Sequence, residues 1–418
     1  MEIKRLAILS VHTSPLAPMG GKKTGGMNVY IRELAQELGS RGILVDIYTR
    51  RTSAKEPKID TNIDENVRVI YLKAGGITPL SPDEIYPHLS EFTARLIALT
   101  TRQGISYDMI YSHYWLSGWV AQKLKEAWGT PFVQMFHTLG QMKQRIVTNT
   151  SVLPDQRIST ETEVMQWADR IVAATPAEHS QLLWLYRAKR RKIEIVPPGV
   201  NTDRFYPLPQ AEAKVRIGFE THQHILLFVG RIEPLKAVDT IIKALNIVRQ
   251  TDDKMLDYVR FVVVGGNPND EYDEEMARLR HLVAELKLSN VVQFVGAKDQ
   301  SELPVYYAAA TAVVMPSDYE SFGMVALEAM ASGTPVIASH VGGLAFLVRD
   351  EETGYLVPVR EPNSVANRII AMVQDWQKRQ QMGQQASHLA QEYAWPKIAD
   401  RLLNIFNDVL SKRVARQA

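Results

Sequence analysis

Short apolar runs alternate with longer amphipathic ones along this chain, and that alternation limits its possible folds more than any other feature. In the first half the apolar runs are "LAILSV" (6–11), "LVDIYT" (44–49), "VRVIYL" (67–72), "DMIYSH" (108–113) and "FVQMFH" (132–137), separated by helical stretches such as "MNVYIRELAQELGSRG". A second series follows residue 195: "ILLFVG" (225–230), "RFVVVGG" (260–266), "VVQFVG" (291–296), "TAVVMPS" (311–317) and "TPVIAS" (334–339). Strands that are apolar throughout and spaced by helices belong to parallel sheets covered on both faces. Between the two series, the paired prolines and glycine of "EIVPPGVNTDRFYPL" (194–208) interrupt both patterns and suit a stiff connector. The expected fold class is therefore α/β, with two doubly wound domains, residues 1–196 and 197–395, and a boundary near Pro197. A chain of 418 residues that is 45% hydrophobic also exceeds one core and favours two domains of about 200 residues each.

Composition removes several classes of function. The net charge is +2, and basic residues are spread along the chain except at "YRAKRRK" (186–192), which reads as a solvated helix end; nucleic-acid binding is not expected. With no cysteine, disulfides, thiolate catalysis and Cys-ligated metals are excluded. The opening "MEIKRLAILSVHTSP" is too short an apolar stretch for a signal peptide, and no run of about 18 apolar residues follows, so a cytoplasmic protein without a transmembrane segment is expected, as monomer or homodimer.

In open parallel sheets ligands bind beyond the carboxyl ends of the strands. In the second half those ends carry "GRIEPLK" (230–236) and "SDYESFGMVALE" (317–328). Arg231 and Lys236 supply a planar fork and a mobile point charge. The run from Phe322 to Ser332 reads as a helix, with Glu320 ahead of its first turn, Glu328 inside it, and free N–H groups around Phe322, Gly323 and Met324. Two cations beside helix N–H donors make a diphosphate site. The plainer reading of each part is a surface ion pair of Arg231 with Glu233, Glu320 as a cap, and Glu328 as a solvated residue. A glycosidase pair is disfavoured, because eight helical residues separate two backbones by roughly 12 Å.

The first half offers "GGKKTGGMNVYIREL" (20–34), where Gly25 and Gly26 would let backbone approach a ligand. It lacks both the P-loop Gly-Lys-Ser/Thr and the G-x-G-x-x-G of dinucleotide folds. "MFHTLGQMK" (135–143) places His137 and Thr138 at a strand end, and "SHYWLSG" (112–118) ends the strand before it. A histidine there serves structure as readily as function. Lys143 and Arg157 are cations close to these loops that could meet a second, anionic substrate; the competing reading pairs Arg157 with Glu161, four residues on in a helix.

Taken in order, "GGMNVYIREL", "HTLGQMK", "GRIEPLK", "YESFGMVALEAMASGTPVIASHVGG" (319–343) and a closing helix after "YAW" resemble the retaining family 4 glycosyltransferases over nearly the whole chain. The resemblance implies the GT-B fold: two Rossmann-like domains facing across a cleft, with residues 396–418 packing back on the first. It also implies a catalytic set of His137, Arg231, Lys236 and Glu320. The implied donor-binding set is Gly25, Gly26, Val295, Gly296, Ser321, Phe322, Gly323, Met324, Val325 and Glu328, with Glu320 on sugar hydroxyls and Glu328 on the ribose. Asn28, Tyr114, Thr138, Lys143 and Arg157 form the implied acceptor-binding set. Within the family the chain looks most like enzymes that move N-acetylglucosamine from its UDP form to inositol phosphate, while "HTLG" leans toward sucrose-phosphate synthases, which use fructose 6-phosphate. Pro82 stands where both groups tend to have a basic residue. The implied reaction is retaining transfer of a hexose from a UDP-sugar to a hydroxyl of a small, phosphorylated acceptor. The alternatives are sucrose-phosphate synthesis specifically, a nucleotide-sugar epimerase, or a non-catalytic nucleotide-sugar binder. No D-x-D sequence occurs, so Arg231 and Lys236 can stand in for a divalent ion, and Mg2+ would stimulate rather than be required.

Overall fold

The computed structural model describes residues 2–17, 25–146, 155–268, 270 and 273–417. The chain divides into two compact units: Met1–Ala17, Gly26–Pro197 and Trp395–Ala418 form the first, and Pro198–Ala394 lies in the second.

The first unit contains β1 (Arg5–Leu9), β2 (Leu44–Arg50), β3 (Ile59–Asp60), β4 (Val67–Leu72), β5 (Met109–His113), β6 (Phe132–Met135), β7 (Arg170–Ala173) and β8 (Ile193–Ile195). They lie in the order β3-β4-β2-β1-β5-β6-β7-β8, parallel except for β3, which runs antiparallel to β4. From β1 the chain winds one way to β2 and β4, then returns to place β5 on the other side of β1. That reversal is the position at which an α/β sheet opens a crevice at its strand ends. Helices Leu89–Gln103 and Tyr114–Trp128 help close the core around Phe92, Trp115, Leu116 and Phe132. The helix Trp395–Gln417 belongs to this unit: Trp395 stands edge-on to Tyr30 at 5.4 Å, Phe406 to Tyr111 at 5.3 Å, and Arg170 reaches Asp408 at 2.7 Å.

The second unit contains β9 (His224–Val229), β10 (Val259–Val264), β11 (Val292–Gly296), β12 (Ala312–Met315), β13 (Val336–Ser339) and β14 (Gly354–Val357), all parallel, in the order β11-β10-β9-β12-β13-β14. Here the winding reverses between β9 and β12. The core packs Leu226, Phe228, Phe261, Val263 and Val314 against Ile241, Leu245 and Ile369 of the covering helices.

All ten expected strands are present, most one to three residues shorter than their apolar runs; β12, for instance, stops at Met315 ahead of Pro316. Four more strands carry no strong sequence signal. β3, β7, β8 and β14 have two to four residues each, too few for a run or an alternation to stand out.

Candidate functional site

In the first unit, the ends of β1, β5 and β6 hold a compact, largely uncharged cluster. Both Tyr114, directly after β5, and His137, two residues after β6, have positive φ (74° and 62°). Non-glycine residues pay on the order of 1 kcal/mol or more for that conformation, and it turns each strand end sharply aside. His137 Nε2 lies 2.9 Å from Nδ1 of the fully buried His113. Burial, reinforced by His12, brings His137 down to about 3, and burial with His137 holds His113 well below the usual histidine range. Both rings are therefore neutral near pH 7, and one N–H between them meets one lone pair. Tyr30 stands edge-on to both rings, and its hydroxyl meets that of Tyr111 at 2.7 Å.

The helix Gly26–Ser40 begins beside the loop after β1. Asn28 is buried and gives its amide to Thr13 Oγ1 (2.8 Å) and Ser14 carbonyl (2.6 Å), so it ties this loop to the helix. A side chain added at Gly25 would meet no atom of the described residues within 4 Å. Residues 20–24 of the glycine-rich turn lie outside the described residues.

Next to β6, Arg157 and Glu161 pair at 2.8 Å with side chains only 6% and 0% exposed. The competing reading, a pairing with Glu161 four residues on in a helix, is therefore present, as a buried ion pair. Nη2 of Arg157 donates to the Thr138 carbonyl (2.9 Å) and hydroxyl (3.1 Å), and the guanidinium lies 5.0 Å over the Tyr114 ring. Burial pulls the Arg157 guanidinium down, but Tyr114 and Glu161 more than reverse this and leave it raised. Thr138 is exposed, and Lys143 is exposed on the helix Gly140–Ile146. Structure thus brings Tyr114, Thr138 and Arg157 together, with the Lys143 helix adjoining. Pro82 opens a short helix capped by Ser81, whose N–H meets Glu84 at 2.7 Å.

In the second unit the site is charged. Arg231 follows β9, and Lys236 ends a short 3-10 turn, Pro234–Lys236. Lys236 Nζ contacts Glu320 Oε2 at 2.6 Å, with side chains 19% and 18% exposed; Arg231, 43% exposed, pairs with Glu233 at 2.6 Å. The ion pair given as the plainer reading of Arg231 is therefore present. Arg360, after β14, staples the two loops: its fork meets Asp318 at 2.7 and 2.6 Å, and it also reaches Asp239 (3.1 Å) and the Pro234 carbonyl (2.9 Å).

The helix Met324–Ala331 starts at Gly323, which has φ of 103° and caps without a side-chain hydrogen bond. The Met324 and Val325 N–H groups thus precede the first intrahelical bond, from Leu327 N to the Gly323 carbonyl. The Glu320–Phe322 backbone is held from behind by "GG" at 342–343. Gly343 N donates to the Glu320 carbonyl at 2.9 Å, and a Cβ on Gly343 would fall 2.2 Å from Phe322 Cα. Ser321 is partly exposed beside buried Phe322.

Glu328 is buried, which overturns the solvated alternative. It accepts from Tyr307 hydroxyl at 2.8 Å and Gln300 Nε2 at 3.3 Å. Val295 and Gly296 close β11, two places from β9 in the sheet. The residues missed in the sequence are His113, Arg360, Gln300 and Tyr307. His113 ends a strand in the quoted "SHYW" and could have been found from that position; Arg360 is 42 residues from Asp318 and gives no local signal.

The geometry can be set beside known proteins. Residues 24–204 match the model described as Glycosyltransferase Family 4, and residues 209–389 that of Glycosyl transferases group 1. The chain is 38% identical to a D-inositol 3-phosphate glycosyltransferase of Kineococcus radiotolerans over 99% of this chain and 98% of that one. The enzyme of the same name from Acidothermus cellulolyticus is also 38% identical, over 98% and 91%. Among solved structures, a sucrose-phosphate synthase from Thermosynechococcus elongatus superposes with a TM-score of 0.88 at 32% identity, over 98% of this chain and all of that one (100%).

Proposed function

We propose, from the premise that this chain belongs to glycosyltransferase family 4 and is a sugar-transferring enzyme of the GT-B fold, that it moves glucose or N-acetylglucosamine from a UDP-sugar, with retention, to a hydroxyl of a small phosphorylated polyol or sugar. The observation that carries the donor half is the convergence, at the β9–β12 reversal, of Arg231, Lys236, Glu320 and a helix start with free N–H groups. Cations and oriented N–H donors are the groups that stabilise charge building on a leaving diphosphate. They also supply there what a divalent ion would, so metal is not required. Glu320 takes sugar hydroxyls and Glu328 the ribose. In the first unit the neutrality of His137 suits hydrogen bonding to hydroxyls rather than proton donation. Retention follows from attack on the face the diphosphate leaves, with the leaving phosphate accepting the acceptor's proton.

The acceptor half rests on Tyr114, Thr138, Lys143 and Arg157, and on relatives named for D-inositol 3-phosphate. The sucrose-phosphate synthase at 32% identity keeps fructose 6-phosphate as the second candidate. A screen of UDP- and GDP-sugars against both phosphorylated acceptors and their dephosphorylated forms tests this. We expect turnover with a UDP-sugar and one phosphorylated acceptor, and Arg157→Ala raising the KM for that acceptor by one to two orders of magnitude, as for a charged hydrogen bond. Equal use of phosphorylated and dephosphorylated acceptors by the parent enzyme would remove the phosphate pocket.

A further inference from the structure

Glu161 is a group that the proposed reaction does not use and that nonetheless bonds to Arg157 and to the start of the helix that carries Lys143. Its side chain is fully buried, and each hydrogen bond to its carboxylate comes from a donor. Gly140 N–H reaches both oxygens (3.1 and 3.0 Å), Arg157 Nε–H donates at 2.8 Å, and the Tyr186 hydroxyl donates as well. Tyr186 in turn accepts the Gln141 N–H at 3.0 Å. These donors come from three pieces of chain: the start of the helix Gly140–Ile146, the helix Asp155–Trp167, and the end of the helix Pro176–Tyr186. An ionised carboxylate accepts at both oxygens, whereas an amide of the same shape must turn an NH2 toward at least one of these donors.

We infer that Glu161 is the positioning residue of the acceptor-phosphate site, fixing the Arg157 guanidinium and the first turn of the Lys143 helix as one piece; the inference rests on the acceptor reading above. With Nε held by Glu161 and Nη2 by Thr138, the guanidinium cannot rotate about its own plane. Nη1 has no acceptor among the described residues. The pair is also neutral as a unit, so Arg157 offers a phosphate an oriented N–H more than a net charge. Lys143 lies on the helix whose first N–H Glu161 holds, and it brings a second cation to the same side. The clustering of Tyr114, Thr138 and Arg157 follows from the same anchor, because Thr138 and Gly140 flank one residue of the same loop.

The test is calorimetric binding of D-inositol 3-phosphate and fructose 6-phosphate, each beside its dephosphorylated form, to UDP-saturated protein. Parent, Arg157→Ala, Glu161→Gln and the double variant are compared. Glu161→Gln should weaken the phosphorylated ligand about tenfold, as for one charged hydrogen bond, and leave the dephosphorylated one unchanged. In the Arg157→Ala background the same substitution should cost clearly less than in the parent, because the guanidinium it positions is gone and only its hold on the Gly140 turn remains. A full additional loss in the double variant, or equal weakening of both ligand forms, would mean that Glu161 serves the fold alone and would overturn the inference. If Arg157→Ala leaves the preference for phosphate intact, or the parent binds neither phosphorylated ligand, the acceptor reading fails and takes this inference with it. Should Glu161→Gln not fold, Tyr186→Phe removes one donor and keeps the carboxylate. A selective loss of about threefold is then expected, and no change overturns the role.

Discussion

The two units present their cations in opposite ways. Arg157 is buried, shares a helix with its carboxylate partner, and has two of its three nitrogens held in place. Lys236 is a half-buried ammonium, and its partner Glu320 sits on a different loop. Breaking a buried pair by removing one partner costs about 3–5 kcal/mol and exposed pairs are worth about 0–1 kcal/mol, so the half-buried Lys236 pair lies between these limits. The first arrangement fixes geometry and gives up net charge; the second keeps charge that can change partners. On the proposed function, these match a phosphate that is only recognised and a diphosphate whose charge grows during the reaction.

The sharpest way to break this contrast is Lys236→Ala. Turnover is expected to fall about a hundredfold or more, in the range of lost oxyanion donors, while stability falls by less than the about 3–5 kcal/mol of a buried pair. Single-turnover kinetics with saturating donor, next to urea unfolding, measures both. A variant that loses stability but keeps turnover would make Lys236 a structural cation. A smaller effect is expected from Gly343→Ala. The added methyl meets backbone, which cannot swing aside as a side chain can, so the Glu320–Phe322 loop must shift. A loss of about 1–3 kcal/mol in unfolding free energy, with weaker UDP binding, is the outcome for overpacking of this kind. Unchanged UDP affinity would separate loop position from donor binding.

The least effect is electrostatic and concerns the first unit. His113 and His137 are depressed by burial, so the unfolded chain gains protons below about pH 6.5 that the folded unit refuses. Each histidine therefore costs stability at about 1.4 kcal/mol per pH unit as pH falls below 6.5, down to about 3 for His137. Glu178 works against them: burial pushes it up to about 7, so it favours the folded state at low pH and loses that contribution as pH rises from its ordinary value toward 7. Between roughly pH 4.5 and 6.5 one carboxyl offsets one of two histidines. Glu178→Gln should therefore steepen the acid loss by about 1.4 kcal/mol per pH unit in that window, read from urea unfolding at several pH values. A slope equal to the parent's would show that Glu178 is not held protonated in the fold.

Much of the fold was legible because parallel strands buried on both faces leave apolar runs of five or six residues, and β1, β4, β9 and β10 are of that kind. β8 and β14 were not, since three or four residues carry no period. At the sites, strand-end position marked Arg231, His137 and Glu320, because the place where a sheet reverses is set by topology. What sequence could not show is which groups satisfy one another. For Glu328 the sequence left a solvated residue open beside a ribose ligand, and only the structure shows Tyr307 and Gln300 bonded to it in a buried place. Glu161 read as the helical partner of Arg157, but its burial did not, because a spacing of four is the same whether the helix face is wet or dry.

The helix Trp395–Gln417 has a consequence for how the molecule is made. It completes the first unit, yet it follows every residue of Pro198–Ala394 in the chain. A polypeptide growing from its amino end can finish the second unit while Tyr30 and Tyr111 still lack Trp395 and Phe406. Until that last helix leaves the ribosome, the aromatic cluster beneath His137 has one wall missing, so the half begun first is the half sealed last.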